Sequence, residues 1–368
     1  MQLINRKSMI WCLILVMPLV FAWACGGDDE ADDDDDDDTY PGSGDDDIPG
    51  GYEDFIGALP DKETMTLTLP GDEKITPQAL GELAEFYDDT VDMTRETNEY
   101  ILWFLSIIDE IASYPPTTFD GTTAVWGPVD GTGLEAHDWK FTMVSTGGDS
   151  YTYHLDWRPK NSNDDEDFIV VWDGNIEESA DTERRGIGTY DVDFDAAYAL
   201  DPTVNLSGGI EVAYDTLTTG RSIQITYINL LDLEEDDAQP VNGTYDYLEN
   251  ADGSGEFLFD VWADVNFEEY HGAQYADVEH FWFNTRWQTD GPGRCDVAVT
   301  DGDLPAMNDD YPGVPEIVQV NFSECWDDGF LRVYYYDELL DEEGGAWPLN
   351  QEGVESSCVF DQQLPVVN

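Results

Sequence analysis

The sequence predicts a mainly β fold: a curved antiparallel meander of about a dozen strands, open or closed like a barrel, with an N-terminal helical segment. From about residue 120 onward, apolar and polar residues alternate with a period of two in one run after another. Turn-forming stretches such as "STGGDS", "TTGR" and "NADGSGE" separate these runs. Before them, "YILWFLSIIDEIASYPP" is apolar on nearly all sides and ends at two prolines, which is typical of a buried helix.

Two runs illustrate the strand pattern. In "SYTYHLDW", the apolar set Tyr151, Tyr153, Leu155 and Trp157 alternates with polar residues, and "TYDVDFD" alternates in the same way. Similar alternating runs follow along the chain, and the last of them is "FLRVYYY" near the C-terminus. So many consecutive strands must curl or close, because large flat sheets are unusual.

The helical segment is predicted to begin at Thr76 and Pro77, a favourable N-cap and first-turn pair. Apolar residues follow at helical spacing: Leu80, Leu83, Tyr87 and Val91. Pro115 and Pro116 are expected to end it. We expect this helix to pack on the sheet as part of the core; the alternative is that residues 100–112 form a lid over a ligand cavity.

The N-terminus has the pattern of an export signal. Arg6 and Lys7 precede 16 almost wholly apolar residues, too few for a membrane span of about 20. Ala24, Cys25 and two glycines follow. This junction resembles a bacterial lipoprotein signal, and the resemblance implies that Cys25 carries the lipid. The segment "Ala22-Trp23-Ala24" also fits ordinary secretory cleavage at the same bond.

These features divide the chain into four parts. Residues 1–24 are the predicted signal peptide, and 25–60 are a disordered acidic tether that could reach ~100 Å when extended. Residues 61–118 are the helical segment on the sheet, and 119–368 are the antiparallel β domain.

The charge excludes one class of partner. The chain contains 82 Asp and Glu residues against 14 Lys and Arg, a formal net charge of -68 at pH 7. Such a chain lacks the basic patch that nucleic-acid phosphates require. Salt screens the self-repulsion of this charge. The acidity therefore predicts a saline habitat, which a melting midpoint that rises with NaCl concentration would support, or a role in cation binding.

The cysteines predict one disulfide and one buried thiol. Cys12 leaves with the signal, and Cys295 shares a strand face with two valines, as a buried thiol would. Cys325 follows a strand and Cys358 lies in the C-terminal tail. We predict a Cys325–Cys358 bridge that holds the C-terminus against the sheet, in the oxidising compartment that export implies.

No motif predicts catalysis, a cofactor or a metal site. The chain lacks the G-x-S-x-G, C-x-x-C and H-E-x-x-H patterns, and its histidines (His137, His154, His271 and His280) lie in no recognisable catalytic setting. One weak calcium candidate begins as an EF-hand loop does, with Asn250, Asp252, Ser254 and Gly255, but Val261 replaces the bidentate glutamate at its twelfth position. An Asp-Gly hairpin turn explains these residues better. Residues 300–310, "TDGDLPAMNDD", are a similar weak candidate.

The body of the chain resembles acidic, uncharacterised lipoproteins of myxobacteria and their relatives over residues 185–360, through "GIGTYDVDFDAAYALDP", "GGIEVAYD" and "SECWD". That resemblance implies no known activity. We therefore predict an exported lipoprotein at the outer membrane or cell surface, with a non-catalytic binding or structural role. Its expected membrane contact is the lipid on Cys25. The alternatives are a secreted or periplasmic soluble protein, a carrier of an apolar ligand in a β cup with a helical lid, and an exported carbohydrate-active hydrolase.

Overall fold

One antiparallel sheet dominates the protein, as predicted. The computed structural model describes residues 51–60, 62–71, 83–129, 136–179, 185–217, 220–234, 239–263, 277–302, 304 and 313–365. Within them, 15 strands pair in strict chain order from β1 to β15. The described part of the sheet is open, since β1 and β15 are its two edges and do not pair with each other.

The strands are mostly eight to twelve residues long. Their bounds are β1 Thr118–Phe119, β2 Thr123–Val129, β3 His137–Ser145, β4 Ser150–Pro159, β5 Ile169–Glu178, β6 Gly186–Asp193, β7 Leu206–Asp215, β8 Arg221–Asp232, β9 Val241–Glu249, β10 Gly255–Ala263, β11 Glu279–Trp287, β12 Gly293–Asp301, β13 Ile317–Trp326, β14 Arg332–Asp341 and β15 Ala346–Gly353.

The two faces of the sheet have different chemistry. We call the face that carries the buried Tyr153, Phe283 and Val297 the inner face, and the opposite one the outer face. Register partners connect the inner residues strand by strand, as Phe259, Phe283, Val297 and Phe322 do across β10 to β13. The period-two pattern of the sequence therefore became one continuous apolar face.

Four α-helices occur in the described residues: α1 Glu53–Ala58, α2 Lys62–Met65, α3 Glu85–Ala112 and α4 Phe194–Leu200.

Helix α1 corrects the predicted boundary of the tether. Its Phe55 is buried and makes edge-to-face contacts with Phe119 and Tyr151 at ring distances of 5.4 and 5.0 Å. Residues 53–60 therefore belong to the folded body, because Phe55, Ala58 and Leu59 are buried in the core.

Helix α3 lies on the inner face and starts later than predicted. Residues 72–82, which include the predicted cap, lie outside the described residues. Leu83 is not helical: it forms an isolated β-bridge with Leu331, and the Ala84 backbone N–H donates to the Phe330 carbonyl. This pairing with the sheet takes the place of a helical turn, so α3 begins at Glu85.

The contacts of α3 are those of a core helix. Phe86 packs edge-to-face on Phe283 and on Phe322, each with ring centroids 6.1 Å apart. In its second half, the apolar residues whose side chains are described are buried or packed against the core: Ile101, Leu105, Ile107, Ile108 and Ile111. The helix ends at Ala112, shortly before the two prolines.

Large aromatic side chains lie over glycines of neighbouring strands at four points of the inner face. Tyr153 covers Gly174, Tyr214 covers Gly188, Trp287 covers Gly255 and Trp326 covers Gly293. In each pair the two residues are directly opposite in register, and a Cβ on the glycine would lie less than 3 Å from the ring or its hydroxyl. The missing side chain of the glycine is thus replaced by the ring of its partner.

Replacing Gly188 by alanine is expected to destabilise the fold by about 1 to 3 kcal/mol, because the added methyl overpacks a filled site. It would lie 2.4 Å from the Tyr214 hydroxyl and 2.5 Å from the Asn175 carbonyl oxygen. Gly57→Ala is the control, since no atom other than those of its chain neighbours and its own helix backbone lies within 4 Å of its added methyl. Thermal melts of both variants test this expectation, and equal melting midpoints would contradict it.

Candidate functional site

The predicted disulfide joins the C-terminal tail to the sheet. Cys325 and Cys358 are bonded, with Cα atoms 5.5 Å apart across a sequence separation of 33 residues. Cys325 is fully buried on the outer face of β13, opposite Arg294 in register. The predicted bridge is therefore present in the fold. Cys25, the predicted lipid site, lies outside the described residues.

The segment beyond the disulfide covers part of the outer face. The backbone carbonyl of Asp361 accepts a hydrogen bond from Arg286 Nη2 at 2.9 Å. The backbone N–H of Gln363 donates to Asp296 Oδ2 at 2.9 Å, and the Gln362 side chain donates to Ser323 Oγ at 3.0 Å. Main-chain and side-chain groups of the tail thus bond to polar residues of three strands, and these residues, Arg286, Asp296 and Ser323, are buried on the outer face.

A charged network lies under this tail. Asp296 is fully buried and accepts from Arg294 Nε at 2.8 Å, from Arg286 Nη2 at 2.9 Å and from Ser323 Oγ at 2.6 Å. Removing water from a carboxylate is costly unless its lone pairs are satisfied, and here two guanidinium groups and a hydroxyl do so. The network therefore anchors the tail.

A second buried charged group lies on the inner face, at the start of α3. Glu324 is 1% exposed, although it occupies an apolar-face position of β13. Its Oε2 accepts the Phe86 backbone N–H at 2.6 Å, and its Oε1 accepts Arg332 Nε at 2.7 Å. The carboxylate thus satisfies one of the free N–H groups at the helix N-terminus, where negative charge is also favoured by the helix dipole.

The pKa values of two carboxyl groups at the start of α3, Glu324 and Asp89, are raised. Burial raises the pKa of Glu324 to about 7, although the Arg332 charge and the Phe86 N–H oppose the shift. Burial also raises the pKa of the half-buried Asp89 to about 8, with further contributions from the charges of Glu324, Asp88, Glu85 and Asp92. Cys295 lies on the same face as Glu324, and burial raises the pKa of its thiol well above the usual range. Raised carboxyl pKa values are typical of general acids, but here the contacts of Glu324 are those of a helix cap.

Each described histidine lies beside an aspartate. His137 Nδ1 is 3.4 Å from Asp201, and its ring stacks on Trp157 at 3.7 Å. His154 Nδ1 is 2.9 Å from Asp156 on the same strand. His280 Nε2 is 2.5 Å from Asp260 of the neighbouring strand, and its ring stacks on Trp262. The three pairs lie apart, and His271 is outside the described residues.

The calcium candidate at residues 250–255 is a hairpin turn between β9 and β10. The Asn250 backbone N–H donates to the Ser254 carbonyl at 2.8 Å, and Asp252 Oδ1 accepts from the Ser254 hydroxyl and backbone N–H. These bonds lower the pKa of Asp252. Val261 is fully buried on the inner face. Of residues 300–310, only 300–302 and 304 are described, and the described chain contains no group of three His, Cys, Asp or Glu that could hold a metal ion.

Two open grooves lie on the outer face away from the tail. One, of about 610 Å³, runs over β6 to β10, and its lining includes Ile187, Gln224, Asp246 and Leu248. The other, of about 700 Å³, runs over β5 to β8 and is lined by both carboxylates and apolar side chains. We refer to them as the β6–β10 groove and the β5–β8 groove.

A row of three exposed carboxylates crosses the β5–β8 groove. Asp173 is directly opposite Asp191 in register, and Asp191 is directly opposite Glu211. Partial burial raises the pKa of Asp191, and the charges of Asp173 and Glu211 raise it further. Like charges directly opposite each other destabilise a sheet, so packing alone does not explain this row.

No helix of the described residues is both long enough and apolar enough to cross a membrane. Comparison of the chain with protein-family models, with curated proteins and with solved structures finds no match.

Proposed function

We propose that the protein is an exported lipoprotein, anchored to a membrane through lipid on Cys25, whose sheet serves a non-catalytic binding role. The observation that carries the binding role is the arrangement of the two faces. Helix α3 packs against the inner face, whereas the outer face presents two open grooves to solvent. A ligand therefore has direct access to the outer face.

Two further observations support an exported, anchored protein. The Cys325–Cys358 bridge requires an oxidising compartment to persist, which agrees with the export signal at the N-terminus. Phe55 is the first buried aromatic residue of the described chain and follows Cys25 by about 30 residues, the length of the acidic spacer that we propose. An acidic spacer of that length holds a domain away from a negatively charged membrane surface.

A Cys25→Ser variant tests the anchor. We expect the wild-type protein, produced in a bacterial host that processes lipoproteins, to fractionate with membranes and to dissolve only in detergent. Its N-terminal peptide is expected to carry the mass of acyl chains. The Cys25→Ser variant is expected to lose the lipid and to leave the membrane fraction. Cys12→Ser is the matched control, because Cys12 lies inside the predicted signal. Membrane association that survives Cys25→Ser would contradict the proposal.

A further inference from the structure

We infer that the β5–β8 groove binds a cationic amphipathic segment of another protein, one that combines lysine or arginine with apolar residues. This inference rests on the proposed binding function and names the class of partner. Three features of the groove carry it: its row of carboxylates, the absence of cations among its described lining residues, and the apolar side chains beside the row.

The carboxylate row is not compensated by any described residue that lines the groove. Adjacent strands lie ~4.8 Å apart, so Asp173, Asp191 and Glu211 span ~10 Å across three strands. All three are exposed, and the described residues that line the groove include no lysine or arginine. A partner that supplies positive charge would form ion pairs with the row and would also remove the repulsion within it. The free energy of binding is therefore more favourable than the ion pairs alone would give.

The other two acidic residues that line the groove, Asp193 and Asp195, accept hydrogen bonds from backbone N–H groups and differ in this from the carboxylate row. Asp193 Oδ1 accepts the Ala196 backbone N–H at 2.8 Å and caps helix α4. Asp195 Oδ1 accepts the Gly208 backbone N–H at 3.0 Å. These two carboxylates hold the wall of the groove, so the row is the part available to a partner.

Apolar side chains beside the row indicate that the partner is more than a counterion. Val170 is 44% exposed and Ile228 is 39% exposed, and both line the groove. Leu231 also lines it and is half-buried. A hydrated metal ion or a purely polar cation would leave this surface in contact with water, whereas an amphipathic segment would cover it.

The β6–β10 groove is less suited to such a partner, because its three carboxylates, Asp215, Asp246 and Glu256, already accept hydrogen bonds from other residues. Asp246 accepts hydrogen bonds from the side chains of Gln224 and Thr244. It has no acidic residue opposite it in register, since its partners are Gln224 and Leu258. The distinction between the two grooves therefore predicts where on a uniformly acidic chain a cationic segment binds.

The test measures the dissociation constant of a fluorescent octapeptide of alternating lysine and valine for the purified protein, by anisotropy at physiological ionic strength. Variant D173N/D191N/E211Q is expected to bind it about tenfold more weakly, because three exposed ion pairs are lost. Its melting midpoint is expected to match or exceed the wild-type value, because repulsion within the row is removed. Variant I228N is expected to weaken binding several-fold.

The control is D328N/E342Q/E343Q, which changes the net charge equally at three exposed acids outside the groove. It is expected to leave the dissociation constant within about twofold. Equal weakening by the two triple variants would overturn the inference, since bulk charge would then explain the binding. Equal affinity for a peptide of alternating lysine and glycine, or no binding by the wild type, would also overturn it. None of these results depends on Cys25, so the lipid anchor is tested separately.

Discussion

Replacing both Cys325 and Cys358 by alanine is expected to lower the free energy of unfolding by about 3 to 4 kcal/mol. The bridge closes a loop of 33 residues, and a loop of that length restricts the unfolded chain by about this amount. The tail it holds also makes the bonds to Asp296 and Arg286 described above. A thermal melt is expected to show a midpoint lower by roughly 5 to 10 °C.

Reduction provides the control for this prediction. Wild-type protein in a thiol reductant is expected to melt near the double variant, and the double variant is expected to be insensitive to the reductant. A Cys295→Ala variant keeps the bridge and is expected to retain the reductant sensitivity of the wild type. If the double variant melted like oxidised wild type, the tail would contribute nothing to stability and the prediction would be wrong.

Stability is expected to fall as the pH rises from about 4 to about 8. Burial raises the pKa of Glu324 from 4.5 to about 7 and the pKa of Asp89 from 3.8 to about 8. Between the unfolded and folded pKa values, the folded protein holds protons that the unfolded chain has released. The stabilisation is therefore complete below pH ~4 and is lost as the pH rises through about 7 and about 8, with a slope of at most ~1.4 kcal/mol per pH unit for each group.

Two variants of α3 isolate this effect. Asp89→Asn removes a titrating carboxyl, so its melting midpoint is expected to exceed the wild-type value at pH 9 and to depend less on pH. Asp88→Asn makes the same charge change at the neighbouring exposed position and is expected to leave the pH slope nearly unchanged. Melts at pH 5, 6, 7, 8 and 9 make the comparison. Equal slopes for the wild type and Asp89→Asn would contradict the assignment.

The strands were predictable because burial on one face imposes a period of two. Tyr151, Tyr153 and Leu155 are buried on the inner face, as their alternation predicts. Trp157 follows the pattern less well: the register shifts between Leu155 and Asp156, Asp156 is buried, and Trp157 is only half-buried. Such an irregularity depends on the neighbouring strand and leaves no local signal.

The tight contacts of the candidate sites were only partly predictable. Glu324 interrupts the apolar set of β13 at the position after Phe322 and Val320, and an acid in that position was a usable signal of a buried carboxylate. The sequence carries no such signal for Asp296. This residue lies on the polar side of β12, and it is buried by a tail that follows it by more than 60 residues in the chain. The acidic row of the β5–β8 groove depends on the register of three strands, which periodicity does not supply.

The strict chain order of the strands has a consequence for how the protein is made. Every strand from β2 to β14 pairs only with the strand before it and the strand after it. Each hairpin can therefore add to the growing sheet as soon as it leaves the ribosome or a translocation channel, without waiting for a distant segment. Assembly can run from the N-terminus to the C-terminus with one growing edge. Cys358 follows β15, the last strand, so formation of its bond to Cys325 reports that the sheet is complete.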